Sequence, residues 1–121
     1  MSDVVIASNQ SIKVEPVFID QSFPSTIVTG NFQLIVSSGS TSYIEISKLK
    51  VITGSSIQIT IAPTASASKH VVKTLFSTST ELITWNSSNR LVIPCGCSLW
   101  VDTATAGSSI EIYGTRFINS P

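Results

Sequence analysis

The residues best placed to do chemistry are two cysteines one residue apart, Cys95-Gly96-Cys97, and a single histidine, His70. In an extended segment alternate side chains share a face, so the two thiols would point the same way and could seed a soft-metal site. A structural zinc needs four ligands, however, and the chain holds no second cysteine pair to complete the set. A disulfide closed over one intervening residue is strained, and the thiol redox motif separates its cysteines by two residues. The expectation is no metal and no cofactor, with Cys95 and Cys97 as small buried residues beside a glycine bend.

Other catalytic arrangements fare no better. A serine or cysteine nucleophile needs a base, yet His70 stands alone at a strand entrance before Val71 and Val72, and no Gly-x-Ser-x-Gly elbow occurs. Acid/base catalysis wants converging carboxylates. Asp3, Glu15, Asp20, Glu45, Glu81, Asp102 and Glu111 are isolated, and several alternate with Ile or Val as solvent-facing strand positions do. Glycine-rich phosphate loops are missing. The chain reads as a non-enzyme.

One binding chemistry stays open. Aromatic faces stack on sugar rings, and Trp85-Asn86, with Tyr43, could form a glycan or partner contact in which the Asn amide binds hydroxyls. Against this stands the habit of aromatic residues in small sandwiches, such as Trp100 between Leu99 and Val101, of anchoring cores and interfaces.

The elements that must position these groups follow from composition and pattern. A chain of 121 residues, 42% hydrophobic, suits one compact domain with one core. The formal net charge is zero and only 12% of residues are charged. Lys13, Lys48, Lys50, Lys69, Lys73, Arg90 and Arg116 are scattered and form no basic stripe, so no nucleic-acid partner is expected. Wettability must rest on 22 Ser and 13 Thr. Low charge also removes the repulsion that keeps sheet edges apart, which points to assembly. The start Met-Ser-Asp resembles no export signal, and no apolar run suits a membrane-spanning helix. The expectation is synthesis in a cytosol and no membrane partner. The sequons at Asn9 and Asn86 then read as chance matches.

Helical periodicity is nearly absent and β-branched residues dominate. The alternation predicts a hairpin of 43–51 and 56–61 about the turn Thr53-Gly54-Ser55, and a second of 98–102 and 109–113 about 103–108. Further strands are expected at 4–7, 12–19, 25–36, 71–76, 82–85, 91–93 and 115–118. The small-residue stretch 62–68 reads as an exposed loop. The string Gly-Ser-Ser-Ile-x-Ile occurs at 54–59 and again at 107–112, as hairpin chemistry or an old duplication would produce. The fold class is all-β: an antiparallel β-sandwich, jelly-roll-like, of about nine or ten short strands. Residues 1–10 are expected to form an N-terminal arm or edge strand, and 11–121 a single sandwich domain.

The segment Leu91-Val92-Ile93-Pro94-Cys95-Gly96-Cys97-Ser98-Leu99-Trp100-Val101, followed by Ala106-Gly107-Ser108-Ser109-Ile110-Glu111-Ile112-Tyr113-Gly114, resembles the closing hairpins of small β-sandwich virion proteins of tailed bacteriophages. The resemblance covers about thirty residues and lies in the order of elements. It implies a capsid decoration or cement protein, made in the host cytoplasm and carried on the virion. Its partners would be copies of itself, a trimer above all, and the major capsid or another virion protein. A tail or fibre component and a carbohydrate-binding, lectin-like module are the alternatives.

Overall fold

The computed structural model describes residues 12–64 and 70–119. It holds nine strands: β1 (Ile12–Phe23), β2 (Gln33–Ser37), β3 (Ser42–Thr53), β4 (Ile57–Ala62), β5 (His70–Leu75), β6 (Ser79–Thr84), β7 (Leu91–Ile93), β8 (Ser98–Asp102) and β9 (Ser108–Asn119). They form two antiparallel sheets, one ordered β1-β9-β3-β6 with β7 also on β3, the other β2-β8-β4-β5. The chain crosses between the sheets at every step except β4 to β5 and β6 to β7, and its first and last strands end as neighbours, the double Greek key of a jelly roll. The expected all-β sandwich is what forms.

Alternation explains the layering. In β3 the side chains of Ile44, Ile46, Leu49 and Val51 are fully buried, and in β4 those of Ile57 and Ile59. Leu99 and Val101 of β8 and Ile110 and Ile112 of β9 meet them between the sheets. Each such side chain contributes about 1.5–3 kcal/mol by leaving water. The phase in β3 changes once. A bulge at Ser47, between the register pairs Ile46–Gly114 and Lys48–Tyr113, lets Ile46 and Leu49 both face inward. The Ser47 hydroxyl donates to the Tyr113 carbonyl at 3.1 Å, and the Trp85 amide donates to the Ser47 carbonyl at 2.9 Å.

Both expected hairpins are corrected. β3 lies in one sheet and β4 in the other, and the same holds for β8 and β9. Each pair is a corner over the core, and the true partners are β3 with β9 and β4 with β8. An apolar/polar alternation is satisfied equally by two strands side by side and by two strands facing each other across a core. The two Gly-Ser-Ser-Ile-x-Ile strings make these corners, and the corners bind one another. Thr105 Oγ1 accepts from the amides of Ser55 (2.7 Å) and Ser56 (3.2 Å), and the Gly54 amide donates to Ser108 Oγ at 2.9 Å.

Three other boundaries differ. The expected strand 25–36 is a loop until Gln33, because residues 24–32 cross from one sheet to the other. Their path is held by the Ile27 amide on the Ala104 carbonyl, 2.7 Å, and the Gly30 amide on Asp102 Oδ1, 3.0 Å. Residues 115–118 continue β9, and three strands run to 12 residues instead of being short. The strand expected at 4–7 and the arm 1–10 lie outside the described residues, as do residues 65–69 of the loop.

Candidate interaction surface

In an antiparallel ladder, residues directly opposite share a face. The registers of β1, β9, β3, β6 and β7 therefore lay out the outer face of the larger sheet as rows. One row is Asp20, Glu111, Lys50 and Leu82; the next is Phe18, Tyr113, Lys48 and Thr84. Then come Pro16, Thr115, Glu45 and Val92, and after them Val14, Phe117 and Tyr43.

The rows mix charged and hydroxyl side chains with more apolar and aromatic ones than a solvent-facing sheet ordinarily carries. Phe18 and Tyr113 rings lie 4.9 Å apart at 43°, and Tyr43 stacks on Phe117 at 5.1 Å and 16°. Lys48 Nζ sits 4.2 Å from the centre of the Tyr113 ring, a cation–π contact that the Ser47 bulge makes available by turning Lys48 outward. Ile12, Val14, Phe18, Ile52, Leu82 and Val92 are all exposed on this one face, whereas Leu34 and Val71 lie on the other sheet. Exposed apolar and aromatic side chains gathered on one face in this way mark an interaction site more often than chance exposure.

The face also carries ionic groups without ionic partners. The described ion pairs are Lys73 with Glu81 at 2.5 Å, joining the two sheets at their edges, and Lys13 with Glu15 at 3.6 Å in solvent. Asp20, Glu111, Lys48 and Lys50 take no ion pair among the described residues. The Tyr113 hydroxyl donates to Glu111 Oε1 at 3.0 Å. That hydrogen bond, with desolvation and the negative charges of Glu111 and Asp20, holds the phenol above its ordinary pKa. A second apolar feature is an open groove of about 450 Å³ at the corner pole of the sandwich, lined by Ile27, Val28, Phe76 and Thr103 among others.

No protein-family profile matches the chain, and no curated protein sequence is similar to it. The fold does have neighbours. A subunit of the disulfide-linked pili that form Bacillus endospore appendages superposes with a TM-score of 0.59 over 93% of this chain and 91% of that one, at 16% identity. That likeness establishes the fold. The virus-like particle protein of the Macrobrachium rosenbergii extra small virus (TM-score 0.43, 11% identity, 88% and 79% coverage) is too distant to add to it. So is the T13 IBDV viral particle protein (0.41, 15%, 92% and 32%).

The residues singled out from sequence are not gathered in one place. Trp85 is half-buried against the core, and its carbonyl accepts from Arg90 Nη1. Asn86 Oδ1 accepts from the Ser88 amide at 3.1 Å and from its hydroxyl at 2.9 Å, closing its own turn. Tyr43 stands on the opposite side of the sheet, on the outer face. Cys95 and Cys97 are free, but the segment is a turn and not an extended strand: the Cys97 amide donates to the Pro94 carbonyl at 3.0 Å, with Gly96 at φ +79°. Cys95 is exposed and only Cys97 packs on the core, so the expectation of two buried residues holds for one of them in part and the glycine bend is there. His70 opens β5. Among the described residues no three His, Cys, Asp or Glu side chains converge as a metal site would require.

Sequence reasoning missed Val14, Phe18 and Phe117. The signal was present: β1 carries apolar residues on both parities, Val14 and Phe18 on one and Val17 and Ile19 on the other.

Proposed function

We propose that the protein is a non-enzymatic structural subunit that assembles with copies of itself. The observation that carries this reading is the exposed apolar and aromatic outer face of β1, β9, β3, β6 and β7. Support comes from the edges: β1, β2, β5 and β6 each end a sheet with one side unpaired among the described residues, and unpaired edges template further strands. The likeness to a pilus subunit over nearly all of both chains is in keeping with it. Those pili are disulfide-linked, and Cys95 is an exposed thiol that a second copy could meet.

The finer form of the reading is a capsid decoration or cement protein of a phage particle, a trimer bound to the major capsid protein, with 1–10 as an arm reaching a neighbour and 11–121 as the sandwich. The resemblance of 91–114 to phage virion proteins supports it. The alternatives remain a tail or fibre part and a glycan-binding module using Trp85, Asn86 or Tyr43.

The test is the native mass of the purified chain across concentration, by light scattering and electron microscopy, with and without reductant. Oligomers or fibres are expected. A monomer at every concentration overturns the structural reading, and glycan binding lost in Trp85→Ala without unfolding would replace it with the lectin one. Loss of assembly on deleting residues 1–10 is the result expected of an arm.

A further inference from the structure

We infer that two copies of this chain pack face to face through the outer surfaces of their β1-β9-β3-β6 sheets, about a two-fold axis running parallel to the strands between β9 and β3. The inference rests on the self-assembly reading and names its surface.

The argument comes from the rows. On either side of that axis the column on β9 carries Glu111, Tyr113 and Phe117, and the column on β3 carries, in the same rows, Lys50, Lys48 and Tyr43. A two-fold along the strands places the β9 column of one copy over the β3 column of the other while keeping each row in register. Glu111 then meets the partner's Lys50, the Tyr113 ring meets the partner's Lys48, and Phe117 meets the partner's Tyr43. Acid faces base, ring faces cation and ring faces ring, and symmetry makes each contact twice. Lys50 is half-buried and without an ion pair among the described residues, and Glu111 takes only the Tyr113 hydroxyl, so both have capacity for a partner.

The other in-plane axis is less favourable. A two-fold perpendicular to the strands through the middle of these rows sets Glu111 over the partner's Phe117 and Lys50 over its Tyr43, so Glu111 loses the opposite charge that the first axis gives it, while Asp20 on the edge strand faces an apolar side chain about either axis, Leu82 or Val14. Size agrees. Three strands of 12 residues and the shorter β6, about 4.8 Å apart, make a face of roughly 600 Å² or more, so two copies bury on the order of 1,200 Å², the lower bound of a specific interface. Tyr113 sits near its centre, with Phe18 on the edge strand and the Tyr43–Phe117 pair toward one end.

Charge reversal tests this directly. Glu111→Lys and Lys50→Glu are each expected to weaken self-association of the full chain at least tenfold in sedimentation velocity, because each homodimer then holds two like-charge contacts. An equimolar mixture of the two variants is expected to associate within a few-fold of the original chain. In the mixed pair both symmetry-related contacts regain opposite signs. Lys50 and Glu111 are also neighbours within one chain, but an intrachain pair cannot be restored by mixing. Far-UV circular dichroism and urea midpoints check that both variants fold; should either not, Phe18→Ser, which touches only the outer face, is expected to weaken association several-fold. Association that ignores all three changes, or no recovery on mixing, overturns the inference and leaves the self-assembly reading standing. A chain that stays monomeric at every concentration overturns both.

Discussion

Gly54 and Ala106 touch so closely that a Cβ on Gly54 would lie 2.2 Å from the Ala106 carbonyl oxygen. This contact is where the two corners of the sandwich meet, one carrying the chain from β3 to β4 and the other from β8 to β9. The repeated Gly-Ser-Ser-Ile-x-Ile string is thus a repeated job at one pole: a glycine at the bend, small hydroxyl residues to bond across, and an alternating strand leading away.

Gly54→Ala is therefore expected to cost about 3 kcal/mol or more, in the range reserved for changes that force backbone apart. Gly96→Ala gives the contrast. At φ +79° with nothing within 4 Å of the added carbon, it should cost only the left-handed penalty of about 1–2 kcal/mol. Urea midpoints of the two variants decide; equal losses would mean the corner contact is looser than described.

Thr60 lies fully buried in β4, and its hydroxyl has no hydrogen-bond partner among the described residues. Replacing it with the isosteric Thr60→Val removes a polar group taken out of water, so stability should hold or rise by about 1 kcal/mol. A clear loss would show that the hydroxyl is bonded.

Phe18 and Ile112 separate interface from core. Ile112 is fully buried, and Ile112→Ala should cost about 2–5 kcal/mol. Phe18 is 58% exposed, so Phe18→Ala should cost less than about 1 kcal/mol, chiefly the lost ring contact with Tyr113. Calorimetry of dilute protein measures both; comparable losses would place Phe18 in the core instead of at a surface for partners.

Tyr113 should ionise above an ordinary tyrosine, first because of its hydrogen bond to Glu111. The folded state holds this proton more tightly than the unfolded chain, so the contribution is whole below the unfolded pKa of about 10 and is lost as pH rises through the folded value. Phenolate absorbance against pH in a Tyr43→Phe background should place the Tyr113 titration above the ordinary tyrosine value, and Glu111→Gln should move it down toward that value. An unchanged titration in Glu111→Gln would assign the shift to another cause.

What the sequence by itself determined is the buried side of those strands whose apolar residues keep one parity. Period-two runs such as Tyr43 to Ser47 and Ser109 to Tyr113 put Ile44, Ile46, Ile110 and Ile112 on the buried side because only one side of a sandwich strand meets the core. The same pattern is silent on which strand lies beside which, since burial is satisfied across the core as well as along a sheet. Tertiary structure alone decided that β3 pairs with β9 and not β4, and with it the one-residue bulge at Ser47 that turns Lys48 toward Tyr113. The outer face depends on that pairing. Val14, Phe18, Tyr43, Tyr113 and Phe117 lie up to about a hundred residues apart in the chain and become one surface only through the registers of β1, β9 and β3. Side-chain burial and the connections between strands select those registers, and the pairings they select are long-range contacts that no local run of residues encodes.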